Sequence, residues 1–175
     1  EFISLANEMA GTFDLLKGNL EAAKSFFDAA IALNPRNSNA KVKISNYYLE
    51  LAAYEQAMQT IDEVKKIDPL NPVVNYHEGE LLAMVTQFEA AAECYSRAIS
   101  LDPDFVLAYV HKARALIGLQ RFQDAKILLS EALKRHPSNA HLMNCLAEAE
   151  AFASSTAAAM ERLQEASRLM PENPT

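Results

Sequence analysis

The sequence predicts an all-α solenoid built from five copies of a 34-residue helix–turn–helix unit. Two observations lead there. Pro35, Pro69, Pro103, Pro137 and Pro171 follow one another at intervals of 34 residues, and small and large apolar residues recur at fixed offsets from them. Proline lacks an amide hydrogen and its ring disfavours helix in the residue before it, so each proline is a stop signal after a helix. A stop repeated at constant spacing marks one structural unit copied along the chain.

With each proline at position 32 of a unit, the repeats are 4–37, 38–71, 72–105, 106–139 and 140–173, a single array within 1–175. Position 8 is Gly11, Ser45, Gly79, Ala113 and Ala147; position 20 is Ala23, Ala57, Ala91, Ala125 and Ala159; position 27 is Ala30, Val64, Ala98, Ala132 and Ala166. Small residues let helix backbones approach closely. Large ones fall where the small ones need filling. Position 24 is Phe27, Ile61, Tyr95, Leu129 and Leu163, and position 17 is Leu20, Tyr54, Phe88, Phe122 and Thr156. These offsets place helix A over positions 1–14 and helix B over 18–31, joined by a short turn such as Lys17-Gly18-Asn19. In the fifth unit Ser154-Ser155-Thr156 stands at the turn, and helix B is expected to start from that hydroxyl cap.

Composition narrows the function. The chain has 175 residues, half of them apolar, a formal net charge of −7 and a pI near 5.1. Phosphate binding needs clustered Lys and Arg, and no basic stripe exists, so a nucleic-acid surface is excluded. Cys94 and Cys145 lie in different repeats, which suggests neither a disulfide framework nor a metal knuckle but a reducing, cytosol-facing compartment. No apolar run reaches 18 residues, so this segment is not expected to enter a membrane. The chain opens at Glu1-Phe2 without methionine and is expected to be a fragment of a longer array.

No Gly-rich phosphate loop, His-Glu-x-x-His or serine elbow occurs, and Glu78 with Glu80, or Glu148 with Glu150, sit two apart and point in different directions on a helix. The sequence therefore predicts no enzyme and no cofactor. His77, His111 and Cys145 share position 6 of three successive units. Stacked layers are about 10 Å apart, whereas zinc ligands lie about 2 Å from the metal, so no metal site is expected.

This residue pattern resembles the tetratricopeptide repeat. Departures are position 4, often tryptophan in the family and here Asn7, Lys41, Asn75, Tyr109 and Met143, and position 11, usually aromatic and here Asp14 and Glu150 in the end units. The resemblance implies a right-handed superhelix whose helix A segments line a concave groove. The groove is then expected to comprise Asn39, Val42, Lys43, Asn46 and Leu49 from the second unit, and Val73, Tyr76, His77, Glu80 and Met84 from the third. The fourth adds Leu107, Val110, His111, Arg114 and Ile117, and the fifth Asn144, Glu148 and Phe152. Leu49, Leu107 and Ile117 are equally suited to packing between layers. A surface mixing Met, Tyr and branched aliphatics with polar groups suits a polypeptide with hydrophobic anchors.

Co-chaperones of this family hold acidic chaperone tails with Lys at position 5 and Asn at position 9 of one unit, Asn at position 6 of the next, then Lys and Arg at positions 2 and 6 of the third. From the first, second and third units this chain offers Glu8, Thr12, Lys43, Val73, His77; Val42, Asn46, His77, Leu107, His111; and Tyr76, Glu80, His111, His141, Cys145. No window keeps the clamp, so direct capture of a chaperone tail is not expected.

Two stretches carry a narrower likeness. Gly11-Thr12-Phe13-Asp14-Leu15-Leu16-Lys17-Gly18-Asn19 with Ala22-Ala23-Lys24, and Ile67-Asp68-Pro69 with Asn71 and Asn75-Tyr76-His77-Glu78-Gly79-Glu80-Leu81, are similar to the carboxyl-terminal array of the large mitochondrial outer-membrane preprotein receptors. Glu78 and Glu80 replace that family's usual Arg and Gln. The likeness implies a groove for hydrophobic precursor proteins, exposed to the cytosol at the mitochondrial outer membrane through an anchor outside this segment. Rival readings are a scaffold segment of a cytosolic multi-subunit assembly, or a regulatory array of a larger enzyme.

Overall fold

Every apolar run that precedes a proline is helical, and the fold is all-α. The computed structural model describes residues 2–169, with side chains over 2–154. Four helix pairs come first: α1 (Phe2–Leu16) with α2 (Leu20–Leu33), α3 (Ser38–Glu50) with α4 (Tyr54–Ile67), α5 (Pro72–Met84) with α6 (Phe88–Leu101), and α7 (Val106–Gly118) with α8 (Phe122–Arg135). A single long helix, α9 (Ala140–Leu169), follows. The chain divides into two compact units, Glu1–Pro103 and Asp104–Thr175.

The prolines act through the residue before them. Asn34, Asp68, Asp102 and His136 leave the helical region, with ψ between 66° and 96°, as a following proline ring requires. Each still donates its N–H to the position-27 carbonyl of Ala30, Val64, Ala98 or Ala132. Two residues past Pro35, Pro69 and Pro137 an asparagine starts the next helix, whereas after Pro103 the position is Phe105, which makes no side-chain cap bond. The Asn37 side chain accepts from Ala40 N at 3.0 Å, Asn71 from Val73 N at 2.9 Å, and Asn139 from His141 N and Leu142 N at 3.0 and 3.1 Å. These bonds satisfy amides that have no partner inside the helix.

Helix A closes on helix B through a left-handed residue at position 15. Gly18, Ala52, Thr86 and Gln120 have φ of 77°, 54°, 61° and 60°. The next residue then donates back across the helix end, with Asn19 N to Asp14 O at 2.9 Å, Ala53 N to Tyr48 O at 2.8 Å, Gln87 N to Leu82 O at 2.9 Å and Arg121 N to Leu116 O at 2.8 Å. This is the Schellman closure, which uses up otherwise orphaned carbonyls. Only the first of the four turns has the glycine that this conformation favours.

Burial follows the repeat register. Phe27, Ile61 and Leu129 at position 24 are fully buried and Tyr95 nearly so, and Ala23, Ala57, Ala91 and Ala125 at position 20 are fully covered. Position 8 must be small because position 24 leans on it. A methyl group added to Gly11 would meet Phe27 Cε1 at 2.6 Å, and one on Gly79 would meet Tyr95 Cε1 at 2.6 Å. At Ser45 the hydroxyl is absorbed by donation to Ala57 O at 3.2 Å.

The fifth repeat differs from expectation. No turn forms at Ser154–Thr156, and α9 runs straight through them. Between Ala140 and Leu169 there is no Gly or Pro, and Ala157-Ala158-Ala159 have the highest helix propensity of any residue type, so continuing the helix avoids the cost of a left-handed residue. With no helix returning, Ala147 at position 8 stays exposed, whereas Leu142, Cys145 and Ala149 are buried. Thr156, Ala159, Leu163, Ala166 and Pro171 lie outside the residues whose side chains are described.

A β-branched residue in the left-handed region is strained, so Thr86→Gly is expected to stabilise the chain by about 1 kcal/mol. Gly79→Ala should destabilise it by about 1–3 kcal/mol through overpacking against Tyr95. Urea denaturation of both variants checks these opposite signs.

Candidate functional site

A helix turns about 100° per residue, so positions 2, 6, 9 and 13 fall within one narrow stripe, while position 5 lies about 60° to its side, toward position 8 and the partner helix. This rotation sorts the expected groove residues. On α3 the stripe shows Asn39, exposed, with Lys43 and Asn46 partly buried; on α5 it shows Val73, His77 and Glu80, partly buried, and Met84, 51% exposed. In the second unit, α7 places Leu107 and Arg114 on the surface with His111 partly buried, and α9 places Glu148 and Phe152 there.

Val42, Tyr76 and Val110 stand corrected. All three occupy position 5 and are buried, at 2%, 6% and 4% exposure, so their side chains belong to the core rather than to the exposed stripe. Val42 belongs to the core with Ala57, Ile61, Val64, Val74 and Leu81. Tyr76 packs on Tyr95 with ring centroids 5.8 Å apart, and the Val110 carbonyl accepts the Cys145 thiol at 3.8 Å. Asn144 also has position 5 but remains exposed, because α9 has no returning helix to cover it. Leu49 packs against the core, Ile117 is partly buried and Leu107 is 44% exposed.

The polar groups on α5 are already organised. Tyr76 Oη donates to Glu80 Oε1 at 2.8 Å, and His77 Nδ1 lies 2.8 Å from Glu80 Oε2 without the geometry of a hydrogen bond. By contrast, the side chains of Lys43 and Asn46 make no hydrogen bond or ion pair among the described residues. On the second unit Arg114 Nε and Glu148 Oε2 are 3.9 Å apart, and with both so exposed this pair adds little stability. No group of three or more His, Cys, Asp or Glu side chains that could hold a metal occurs among the described residues.

Glu78 serves a different purpose on the opposite face of α5. It accepts Lys65 Nζ at 2.8 and 2.9 Å and lies 3.4 Å from Arg97 Nη2, while Arg97 Nε donates to Asn75 Oδ1 at 3.2 Å. From the sequence, Glu78 stands out only as a carboxylate that does not converge with Glu80. The signal was present as Lys65 and Arg97, two helix B residues at positions 28 and 26 of adjacent units, but only coordinates show them converging. Burial first, and then the Glu78 charge, pushes the neighbouring Cys94 thiol up to about 12. Burial followed by Glu80 raises Tyr95, and burial followed by Glu148 raises Cys145. Burial and the raised values both disfavour the thiolate form of these cysteines.

The tetratricopeptide repeat family model matches residues 14–76 and 82–152. The chain belongs to the tetratricopeptide repeat family. It is 32% identical over 120 residues to the human mitochondrial import receptor subunit TOM70, an alignment covering 66% of this chain and 20% of that protein. It is 29% identical over 125 residues to anaphase-promoting complex subunit 3 of Schizosaccharomyces pombe, covering 70% of this chain and 19% of that protein. The chain thus spans about a fifth of the length of these relatives. Among solved structures, yeast Tom70 superposes with a TM-score of 0.76 at 22% identity, over 97% of this chain and 37% of that one. Together these establish a tetratricopeptide repeat module, and no helix among the described residues is long and apolar enough to cross a membrane.

The folded state holds the Cys94 proton more tightly than the unfolded state does. Its contribution to stability is therefore complete below the ordinary thiol value of 9.0 and lost progressively as pH rises toward about 12. Urea midpoints should fall between roughly pH 8 and pH 10.5, less so in Cys94→Ala. At pH 8 both thiols should resist a disulfide reagent until the chain unfolds.

Proposed function

We propose that the chain is a non-enzymatic polypeptide-binding module that forms part of a mitochondrial outer-membrane import receptor and takes hydrophobic precursor proteins along its helix A stripe. The observation that carries this reading is the character of the stripe on α3 and α5: an exposed Met84 and a partly exposed Val73 beside unpaired Lys43 and Asn46. Apolar side chains there give a ligand area to bury, and the unpaired polar groups can meet its main chain. The similarity to the human mitochondrial import receptor subunit TOM70 supports the import assignment, and cytosolic exposure through an anchor outside this segment belongs to the same proposal. The 34-residue register passes Pro103 without interruption, which supports one continuous array. A scaffold role is the second reading, favoured by the likeness to anaphase-promoting complex subunit 3.

Binding driven by apolar burial should depend only mildly on salt. Met84→Ala is expected to weaken binding of a peptide from a hydrophobic membrane-protein precursor about fivefold, with Lys43→Ala and Asn46→Ala smaller in effect, and all three should keep the parent thermal midpoint. Fluorescence anisotropy checks this. Unchanged affinity in all three variants would leave the scaffold reading standing.

A further inference from the structure

One face of α1 presents large apolar side chains to solvent. Phe2, Leu5, Met9, Phe13 and Leu16 are each between 52% and 90% exposed. At 100° per residue they fall within an arc of about 80° that holds no charged residue, away from the buried Ser4 and Gly11. A seam between repeats explains only part of this stripe. Position 10 meets the preceding helix B in later units, where Tyr47 Oη donates to Glu21 of α2 at 3.2 Å and Leu81 joins the core with Ile61 and Val64 of α4. On α1 that position is Phe13. Positions 2, 6 and 13 need no such cover: they are Asn39, Lys43 and Glu50 on α3 and Val73, His77 and Met84 on α5. On α1 all three are large and apolar, as Leu5, Met9 and Leu16.

We propose that this face is the docking surface for a second copy of the chain, with α1 of one protomer packed antiparallel on α1 of its partner about a two-fold axis at Met9. The spacing of the stripe selects that occupant, because it reads the same from either end. Phe2 and Leu16 stand seven residues to each side of Met9, and Leu5 and Phe13 stand four. A two-fold axis through Met9 therefore sets Phe2 opposite the partner's Leu16, Leu5 opposite the partner's Phe13, and Met9 against its own copy. Apolar meets apolar along the whole stripe, which is the isologous contact that one self-complementary patch makes. Phe2, Met9 and Leu16 also keep the seven-residue interval of a helix–helix seam. Area points the same way. At about 200 Å² for a fully exposed large side chain, the stripe offers roughly 700 Å². That exceeds the largest patch on a typical monomer, about 300–600 Å², and approaches the roughly 800 Å² that each partner buries in a stable complex.

None of these side chains belongs to the stripe proposed for precursor binding on α3 and α5, so the two readings fail separately. Light scattering of the 175-residue chain over a concentration series tests the association. The mass is expected to rise to twice 19.3 kDa. Met9→Glu, which sets two carboxylates against each other on the axis, should hold it at 19.3 kDa while keeping the helical circular dichroism of the parent. Cysteine cross-linking tests the register, since Cys94 and Cys145 are buried. Under mild oxidation Met9→Cys should link to its own copy. Leu5→Cys should not, because the two copies of position 5 lie eight residues or about 12 Å apart along the axis, beyond the reach of a disulfide at about 7 Å; mixed with Phe13→Cys it should link. A dimer that survives Met9→Glu, or Met9→Cys and Leu5→Cys linking alike, would overturn the proposal. A monomer at every concentration would overturn it too, and if Met9→Glu then weakened precursor binding the stripe would belong to the precursor.

Discussion

The contact between position 8 of helix A and position 24 of helix B is the constraint on which the rest depends. Gly11 under Phe27 and Gly79 under Tyr95 leave no room for even one methyl group. That closeness fixes the distance and rotation of each pair, and rotation then decides what every other position does. Once position 8 faces its partner, position 5 is drawn into the core and positions 2, 6, 9 and 13 are left on a surface. The buried Val42, Tyr76 and Val110, and the open Lys43, Asn46 and Met84, are consequences of the same turn of the helix. α9 shows the converse: without a returning helix, Ala147 and Asn144 lie in solvent.

Much of this was legible from spacing alone, because both signals involved are local. A proline acts on its own neighbours, and an alanine recurring at position 20 can only be a close approach. Burial at positions 20, 24 and 27 follows the expectation wherever side chains are described. The failures have three physical origins. Ser154–Thr156 have the chemistry of a cap, but a cap is used only where the chain leaves the helix, and the alanines beyond them hold it in. Position 5 was misassigned because a helix face about 60° wide separates groove from core, finer than a family pattern resolves. The left-handed Ala52, Thr86 and Gln120 have no glycine to mark them; the tertiary packing of the pair imposes that conformation.

Charge is distributed unevenly between the two faces of the first unit. Behind α5, Lys65, Glu78 and Arg97 satisfy one another, the single carboxylate being met by cations from two flanking helices. On the stripe, Glu80 accepts from Tyr76 and lies close to His77, whereas Lys43 and Asn46 are left open. Groups tied into internal pairs stiffen the array and are costly to divert to a ligand. Open polar groups next to exposed apolar ones carry no such cost, which is why we propose recognition on the forward faces of α3 and α5.

The most direct measurement of that placement is site-specific photo-cross-linking. A benzophenone amino acid replaces either Asn46, on the stripe, or Glu93, exposed on α6, and each protein is irradiated with a radiolabelled hydrophobic membrane-protein precursor. The account predicts a cross-link from position 46 that unlabelled precursor competes away, and none from position 93. A competed cross-link from position 93 with none from position 46 would contradict it.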